Sequence, residues 1–313
     1  MKTRFASCIH ACVVAIILAL VVLLAGCSSQ KQAQEPLKLG VIPFEAAGVI
    51  QKGFTPLATF IGQKSGRPSG QVFVTPDYAG VLQALQSDQI DAAYLSPLAY
   101  VLAVEQFRNT PEHLVPLGIP YMFGSLTYRG IVFVRTDSGI KTIKDLKGKS
   151  FAFADRTSAS GYLYPAGLMK EAGLDPDKDI KPVNIGGSAS VMAVYNGQAD
   201  GGAIYEDGIK IAFKDPVTRK IDQTRASQMR VIATTDPIPN GMLVARANLD
   251  PKTLALLKKA IDALNTDPNG KAALAKIPDG AWGNISPPDD SMFNSVRKKA
   301  KILGLTLSSL SKK

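Results

Sequence analysis

The chain has 313 residues, 46% hydrophobic, 20% charged and 7% aromatic, a balance that excludes a long disordered chain and supplies a core without disulfide staples. Its 36 Lys and Arg exceed its 26 Asp and Glu by ten, but the bases are scattered and not interleaved with aromatics, which argues against nucleic acid. Cysteine occurs at Cys8, Cys12 and Cys27 alone, and histidine at His10 and His113 alone, so the main body holds no disulfide scaffold, zinc cluster, catalytic thiol or histidine-rich active site.

Residues 1–26 read as an export signal. Lys2 and Arg4 give a positive start, Ala11 to Ala25 form an uncharged apolar run, and small residues follow. The run is shorter than the roughly twenty apolar residues of a comfortable membrane span. Leu24-Ala25-Gly26-Cys27 resembles the lipobox of bacterial lipoproteins, which implies cleavage before Cys27, lipid on its thiol and attachment to a membrane surface. A plain signal peptide with an incidental cysteine is the alternative. Residues 27–36 then form a polar tether. Cleavage removes two bases and no acid, so the mature chain keeps an excess of about eight positive charges.

From Leu37 onward short apolar strands alternate with helical periodicity. Strands are predicted over 37–43, 71–75 and 90–95, with helices over 54–61, 79–86 and 97–106 between and after them. A β-branched strand spans 130–135, and the rhythm resumes with strands 149–154, 180–185 and 199–204. Helices 160–172, 190–196 and 207–214 accompany these. Strands 229–234 and 242–246 bracket Pro237 and Pro239, and the tail from Pro251 is mostly helical. Such alternation predicts a parallel-rich α/β architecture.

One internal echo stands out. Leu82-x-Ala84-Leu85-x-x-x-Gln89-x-Asp91 recurs as Val191-x-Ala193-Val194-x-x-x-Gln198-x-Asp200, each a helix, a turn and the start of a strand. Two lobes of like construction follow, with crossings near Tyr128 to Arg135 and Thr234 to Gly241. Residues 37–129 and 241–313 form lobe 1, and 130–240 form lobe 2.

Candidate chemistry lies where loops meet helix starts. Asp155-Arg156-Thr157-Ser158-Ala159-Ser160-Gly161-Tyr162 follows a predicted strand and opens a helix. Free N–H groups and the positive end of the helix dipole bind oxyanions there, beside the hydroxyls. Simple N-capping is the competing account, although one hydroxyl suffices for a cap. Asp77-Tyr78 and Ser96-Pro97 open two further helices, and Tyr128 sits at a predicted crossing, within reach of a cleft ligand. Gly148-Lys149-Ser150 is no phosphate loop, because Ile143 stands where its first glycine belongs. Ser138-x-x-Lys141 lies in a polar turn and has no companion motif.

In order and spacing, several segments resemble the substrate-binding lipoproteins of phosphate/phosphite/phosphonate ABC importers. They are Pro76-Asp77-Tyr78-Ala79-Gly80, Tyr94-Leu95-Ser96-Pro97, Tyr128-Arg129-Gly130-Ile131, Ser158 to Leu163 with Pro165, Ala193-Val194 with Asp200, and Pro237-Ile238-Pro239-Asn240. The resemblance implies a two-lobed class II periplasmic-binding-protein fold with a ligand cleft between the lobes. It also implies a non-enzymatic receptor without cofactor or metal, a small phosphorus oxyanion as ligand, an ABC permease as partner and a place at the cell envelope. The same scaffold serving another anion or organic ligand for a sensor system is the alternative. The family's cleft tyrosines carry over onto Tyr78 and Tyr128, and its anion loop onto Ser158, Ala159, Ser160 and Gly161, where Ala159 replaces a threonine. Ser96 opens a neighbouring helix. Two departures stand out. A histidine expected before the echoed helix is Gly187, for which Ser188 or Ser190 would compensate. Of an acidic pair that holds a ligand ammonium, one member is Asp207 and the other is replaced by Gly241.

Overall fold

The computed structural model describes residues 35–310 apart from 109, 111, 112, 216, 219, 279 and 280. The predicted signal segment, Cys27 and residues 27–34 of the tether lie outside the described residues.

The first half of the chain runs β1 (Leu37–Val41), α1 (Ala47–Lys64), β2 (Gly70–Val74), α2 (Tyr78–Gln86), β3 (Ala92–Leu95), α3 (Pro97–Phe107), β4 (Leu114–Met122) and β5 (Thr127–Tyr128). Next come β6 (Gly130–Arg135), β7 (Ser150–Phe153), a π-helical turn (Ala159–Leu163), α4 (Tyr164–Glu171), β8 (Lys181–Asn184), α5 (Ser188–Tyr195), β9 (Gly201–Tyr205) and α6 (Gly208–Ala212). The remainder is α7 (Gln223–Ala226), β10 (Met229–Thr234), β11 (Ile238–Pro239), β12 (Met242–Arg246), α8 (Pro251–Ala263), α9 (Pro268–Leu274), β13 (Trp282–Ser286), α10 (Asn294–Ile302) and α11 (Leu307–Leu310).

Two sheets share one plan. The first has the order β13-β4-β12-β3-β1-β2 and the second β10-β6-β9-β7-β8. In each, three parallel strands (β2, β1, β3; β8, β7, β9) are continued by antiparallel ones. Central parallel strands are covered on both faces, so β1, β3, β7 and β9 read as apolar runs, while the edge strands β2 and β8 are partly or largely exposed. Leu37, Leu39 and Val41 of β1 are fully buried, each worth about 1.5–3 kcal/mol of transfer free energy. α1 buries Ile50, Phe54, Leu57, Ala58 and Ile61, a stripe at helical spacing. Between the sheets the chain crosses twice, and the crossings pair as β5 with β11, Tyr128 opposite Ile238.

The internal echo has a definite structural meaning. The Ala84 carbonyl accepts the Gln89 and Ile90 N–H groups at 2.9 and 3.3 Å, and the Ala193 carbonyl accepts those of Gln198 and Ala199 at 2.8 and 3.3 Å. Asp91 then donates its N–H to the Lys38 carbonyl and accepts the Lys38 N–H through Oδ2 at 3.0 Å. Asp200 does the same with Ser150 and also accepts its hydroxyl, both at 2.8 Å. Each aspartate therefore stitches a helix–turn unit to the central parallel strand of its sheet.

Three departures from the sequence expectations have physical causes. The nine-residue β4 reads as a loop because Pro116, Gly118 and Pro120 interrupt it. It is tolerated beside β12 through a register shift between Leu243 and Val244, which relieves the pairing next to Pro116. The predicted helical tail is broken by β13, and the helix predicted over 160–172 begins with the π-helical turn, in which Leu163 donates to the Ser158 carbonyl at 3.0 Å.

Candidate functional site

A cavity of about 290 Å³ lies between elements of the two sheets. Its walls come from segments that follow the carboxyl ends of parallel strands, the position where open α/β sheets bind ligands. Phe44 and Glu45 follow β1, Tyr78 follows β2, and Ser96 follows β3. Across the cleft, Ser158 to Gly161 follow β7, Gly187 and Ser188 follow β8, and Glu206 and Asp207 follow β9. All nine residues singled out in the sequence, Tyr78, Ser96, Tyr128, Ser158, Ala159, Ser160, Gly161, Ser188 and Asp207, line this one cavity.

Asp155 organises the serine turn. Its Oδ1 accepts the Thr157 N–H at 2.8 Å and hydroxyl at 2.6 Å, and its Oδ2 accepts the Tyr78 N–H at 3.2 Å from the facing lobe. Ser158 caps the turn, its Oγ accepting the Gly161 N–H at 3.1 Å. Ala159 and Ser160 occupy the first positions of the turn, where N–H groups have no intrahelical acceptor. Ser96 spans the cleft: its hydroxyl donates to the Thr157 carbonyl at 2.8 Å and accepts the Ala99 N–H at 3.1 Å.

The phenols are held as neutral donors. Burial pushes Tyr78 well above the usual phenol range, the Asp155 charge adds to this, and a hydrogen bond with Ser158 opposes it. Burial raises Tyr128 to about 12 against hydrogen bonds with the Ser160 hydroxyl and backbone. Tyr94 is raised by burial and by Tyr128, with the Gly241 backbone opposing. Among the described lining residues Lys214 is the one cation, beside Glu45, Glu206 and Asp207. An anion at the serine turn would thus meet hydroxyls and main-chain N–H groups rather than a counter-charge.

Three predicted contributors are already engaged. Ser188, expected to compensate for the missing histidine, gives both its N–H and its hydroxyl to Glu45 Oε1, at 3.0 and 2.8 Å. Ser190, the other substitute, donates to the Gly187 carbonyl. Asp207 pairs with Lys210 at 3.3 Å. At position 241 a side chain has no room, since a Cβ there would stand 2.7 Å from the Tyr94 ring and collide with the Leu95 carbonyl. Where the resemblance implies an acid, this chain places the edge of an aromatic ring.

Sequence reasoning missed Glu45, Phe123 and the role of Trp282. Trp282 is 3% exposed, lies 4.7 Å from the Tyr94 ring and forms part of the cavity wall. Phe123 is half exposed at the cavity, at φ 50° in the left-handed region, where a non-glycine residue is strained. Glu45 was findable, because it follows the carboxyl end of a predicted parallel strand. Among the described residues, no group of three or more His, Cys, Asp or Glu is placed to hold a metal, and no helix is long and apolar enough to cross a membrane.

Comparison with known proteins agrees with this geometry. Residues 39–293 match the family described as the periplasmic substrate-binding protein of phosphonate ABC transporters. The phosphate-import protein PhnD of Mycolicibacterium smegmatis is 28% identical over 288 residues, covering 86% of each chain. The phosphonates-binding periplasmic protein of Escherichia coli is 25% identical over 281 residues, covering 86% of this chain and 77% of that one. A binding component of a phosphonate ABC transporter from Pseudomonas aeruginosa shares the fold with a TM-score of 0.75 at 23% identity, covering 90% of each chain. A Prochlorococcus marinus protein solved with methylphosphonate does so with a TM-score of 0.71 at 18% identity, covering 86% of this chain and 98% of that one. The family model describes a periplasmic substrate-binding component of an ABC transporter, a role that implies a small ligand and a membrane permease as partner. The chain belongs to the family of periplasmic substrate-binding proteins of phosphonate ABC transporters.

Proposed function

We propose that this protein is a lipid-anchored receptor that captures a phosphorus oxyanion between lobes 37–129 plus 241–313 and 130–240, and presents it to an ABC permease. One observation carries the reading: the hydroxyl-rich turn Ser158–Gly161, Tyr78 and Tyr128 converge on one interlobe cavity. The oxyanion accepts from the Ala159 and Ser160 N–H groups and from the hydroxyls of Ser160, Tyr78 and Tyr128. Closure replaces its water shell with these fixed donors, whose neutrality suits a dry cleft.

Size and lining favour an organic phosphonate over phosphate or phosphite. The cavity of about 290 Å³ has more room than a bare tetrahedral ion fills. Phe44, Tyr94, Phe123 and Trp282 offer the remaining space an apolar wall. The relatives' names span both ligand classes, one phosphate and one phosphonates.

Titration calorimetry of the full chain in detergent against methylphosphonate, aminoethylphosphonate, phosphite and phosphate tests this. Tightest binding of a phosphonate is expected; a folded protein that binds none of the four would refute the reading. For the anchor, Cys27→Ser is expected to move the protein from the membrane to the soluble envelope fraction. Unchanged membrane retention would remove the lipid from the account.

A further inference from the structure

Glu45 belongs to the loop between β1 and α1 on one side of the cleft, and Ser188 opens α5 on the other. The two are 143 residues apart in the chain, yet Glu45 Oε1 accepts both the N–H of Ser188 at 3.0 Å and its hydroxyl at 2.8 Å. A carboxylate at the start of a helix is favoured by the helix dipole, and hydrogen bonds to an ionised acceptor are about twice as strong as neutral ones. Gly187 makes the approach feasible. It has φ +62°, and a Cβ there would lie 2.7 Å from the Phe44 carbonyl and 3.2 Å from the Glu45 carboxyl group. Any side chain at 187 would push Glu45 away from α5.

The other cleft-spanning bonds described above, from Tyr78 to Asp155 and from Ser96 to Thr157, both end on the serine turn that faces the ligand. The Glu45–Ser188 pair ends instead on a separate helix. It also takes the N–H and hydroxyl at the start of α5 out of the pool of donors for an anion.

We propose that Glu45 is a positioning residue, an interlobe latch that fastens the closed cleft through Ser188 and so prolongs ligand retention, with Gly187 as the residue that admits it. This rests on the capture reading for its ligand arm alone. The latch forms only when the lobes meet, so it acts on opening: release slows while entry is unaffected. In Glu45→Gln the amide oxygen keeps an acceptor without the charge. In Ser188→Ala the hydroxyl is lost and the N–H remains.

Two readouts on the full chain in detergent test it. Without ligand, amide exchange over residues 186–190 is expected to quicken about tenfold or more in Glu45→Ala, and less in Glu45→Gln and Ser188→Ala. With methylphosphonate as probe, Trp282, the single tryptophan of the chain, reports binding by fluorescence. Release is expected to accelerate about tenfold or more in Glu45→Ala with the association rate unchanged, and Ser188→Ala is expected to follow in the same direction. A merely structural role for Glu45 would lower the melting temperature and leave the split between the two rates unmoved. Exchange and release identical to the wild type in Glu45→Ala and Ser188→Ala would overturn the latch. Failure of methylphosphonate, phosphite and phosphate to bind the wild type would instead overturn the capture reading, with the exchange arm still deciding the latch.

Discussion

The two lobes are built alike and equipped differently. Each has three parallel strands, an antiparallel continuation, and an aspartate that ties a helix–turn unit to its central parallel strand. In lobe 1 that aspartate, Asp91, is 6% exposed and lies between Arg67 and Arg246, at 4.0 and 3.2 Å. In lobe 2, Asp200 is exposed, with Lys149 and Lys181 nearby. The same division runs through the cleft, where lobe 1 contributes Phe44, Tyr94 and Trp282 while lobe 2 contributes Ser158, Ser160 and main-chain N–H groups. Duplicated scaffolding thus leaves each half free to take a separate part in binding, one supplying the aromatic wall and two phenol hydroxyls, the other the serine hydroxyls and main-chain N–H groups.

The sharpest way to break the scaffold half of this comparison is to remove both aspartates in turn. Asp91→Ala takes a buried carboxylate from between two buried guanidinium groups, of which Arg246 keeps Asp88 and Arg67 the Glu35 carbonyl, and is expected to cost about 3 kcal/mol of unfolding free energy by denaturant titration. Asp200→Ala, lacking only surface hydrogen bonds, is expected to cost about 1 kcal/mol. Equal losses would show that the two stitches are equivalent and that burial is irrelevant to them. Although partial burial opposes ionisation, hydrogen bonds from the Ser150 N–H and hydroxyl hold the Asp200 carboxyl below its usual range. Its contribution is therefore present above the unfolded pKa, about 3.9, and disappears as pH falls through the lower folded value. The stability gap between wild type and Asp200→Ala should close below about pH 4.

On the cleft side, the double variant Ser158→Ala with Ser160→Ala removes hydroxyls from lobe 2 and leaves the lobe 1 wall intact. About a hundredfold loss of methylphosphonate affinity is expected by calorimetry, since a hydrogen bond to a charged group is worth about 1.5–3 kcal/mol. A loss below threefold would move the anion away from the turn.

Much of this organisation was legible in the sequence. The strand rhythm placed β1 to β3 and β6 to β9 within a few residues, because β1, β3, β6, β7 and β9 are mostly buried and carry an apolar signal, although the edge strands β2 and β8 are partly or largely exposed. The echo around Asp91 and Asp200 announced a repeated turn, and hydroxyls at a helix start announced the serine turn. What stayed hidden depended on distant partners. β4 and β13 carry Pro and Gly that only neighbouring strands excuse. Glu45 could be placed at the end of a predicted strand, but its bond to Ser188, 143 residues away, has no local signature. The closure of position 241 by Tyr94 is likewise a contact between two strands, β3 and the entry to β12, far apart in the chain.

A crystal structure with methylphosphonate bound tests the central claim most directly. The account predicts the phosphonate oxygens within hydrogen-bond distance of the Ser160 and Tyr128 hydroxyls and the Ala159 and Ser160 N–H groups, with the methyl group toward Tyr94 and Trp282. A phosphonate seated outside this cavity, or held there with the serine turn facing away from it, would contradict it.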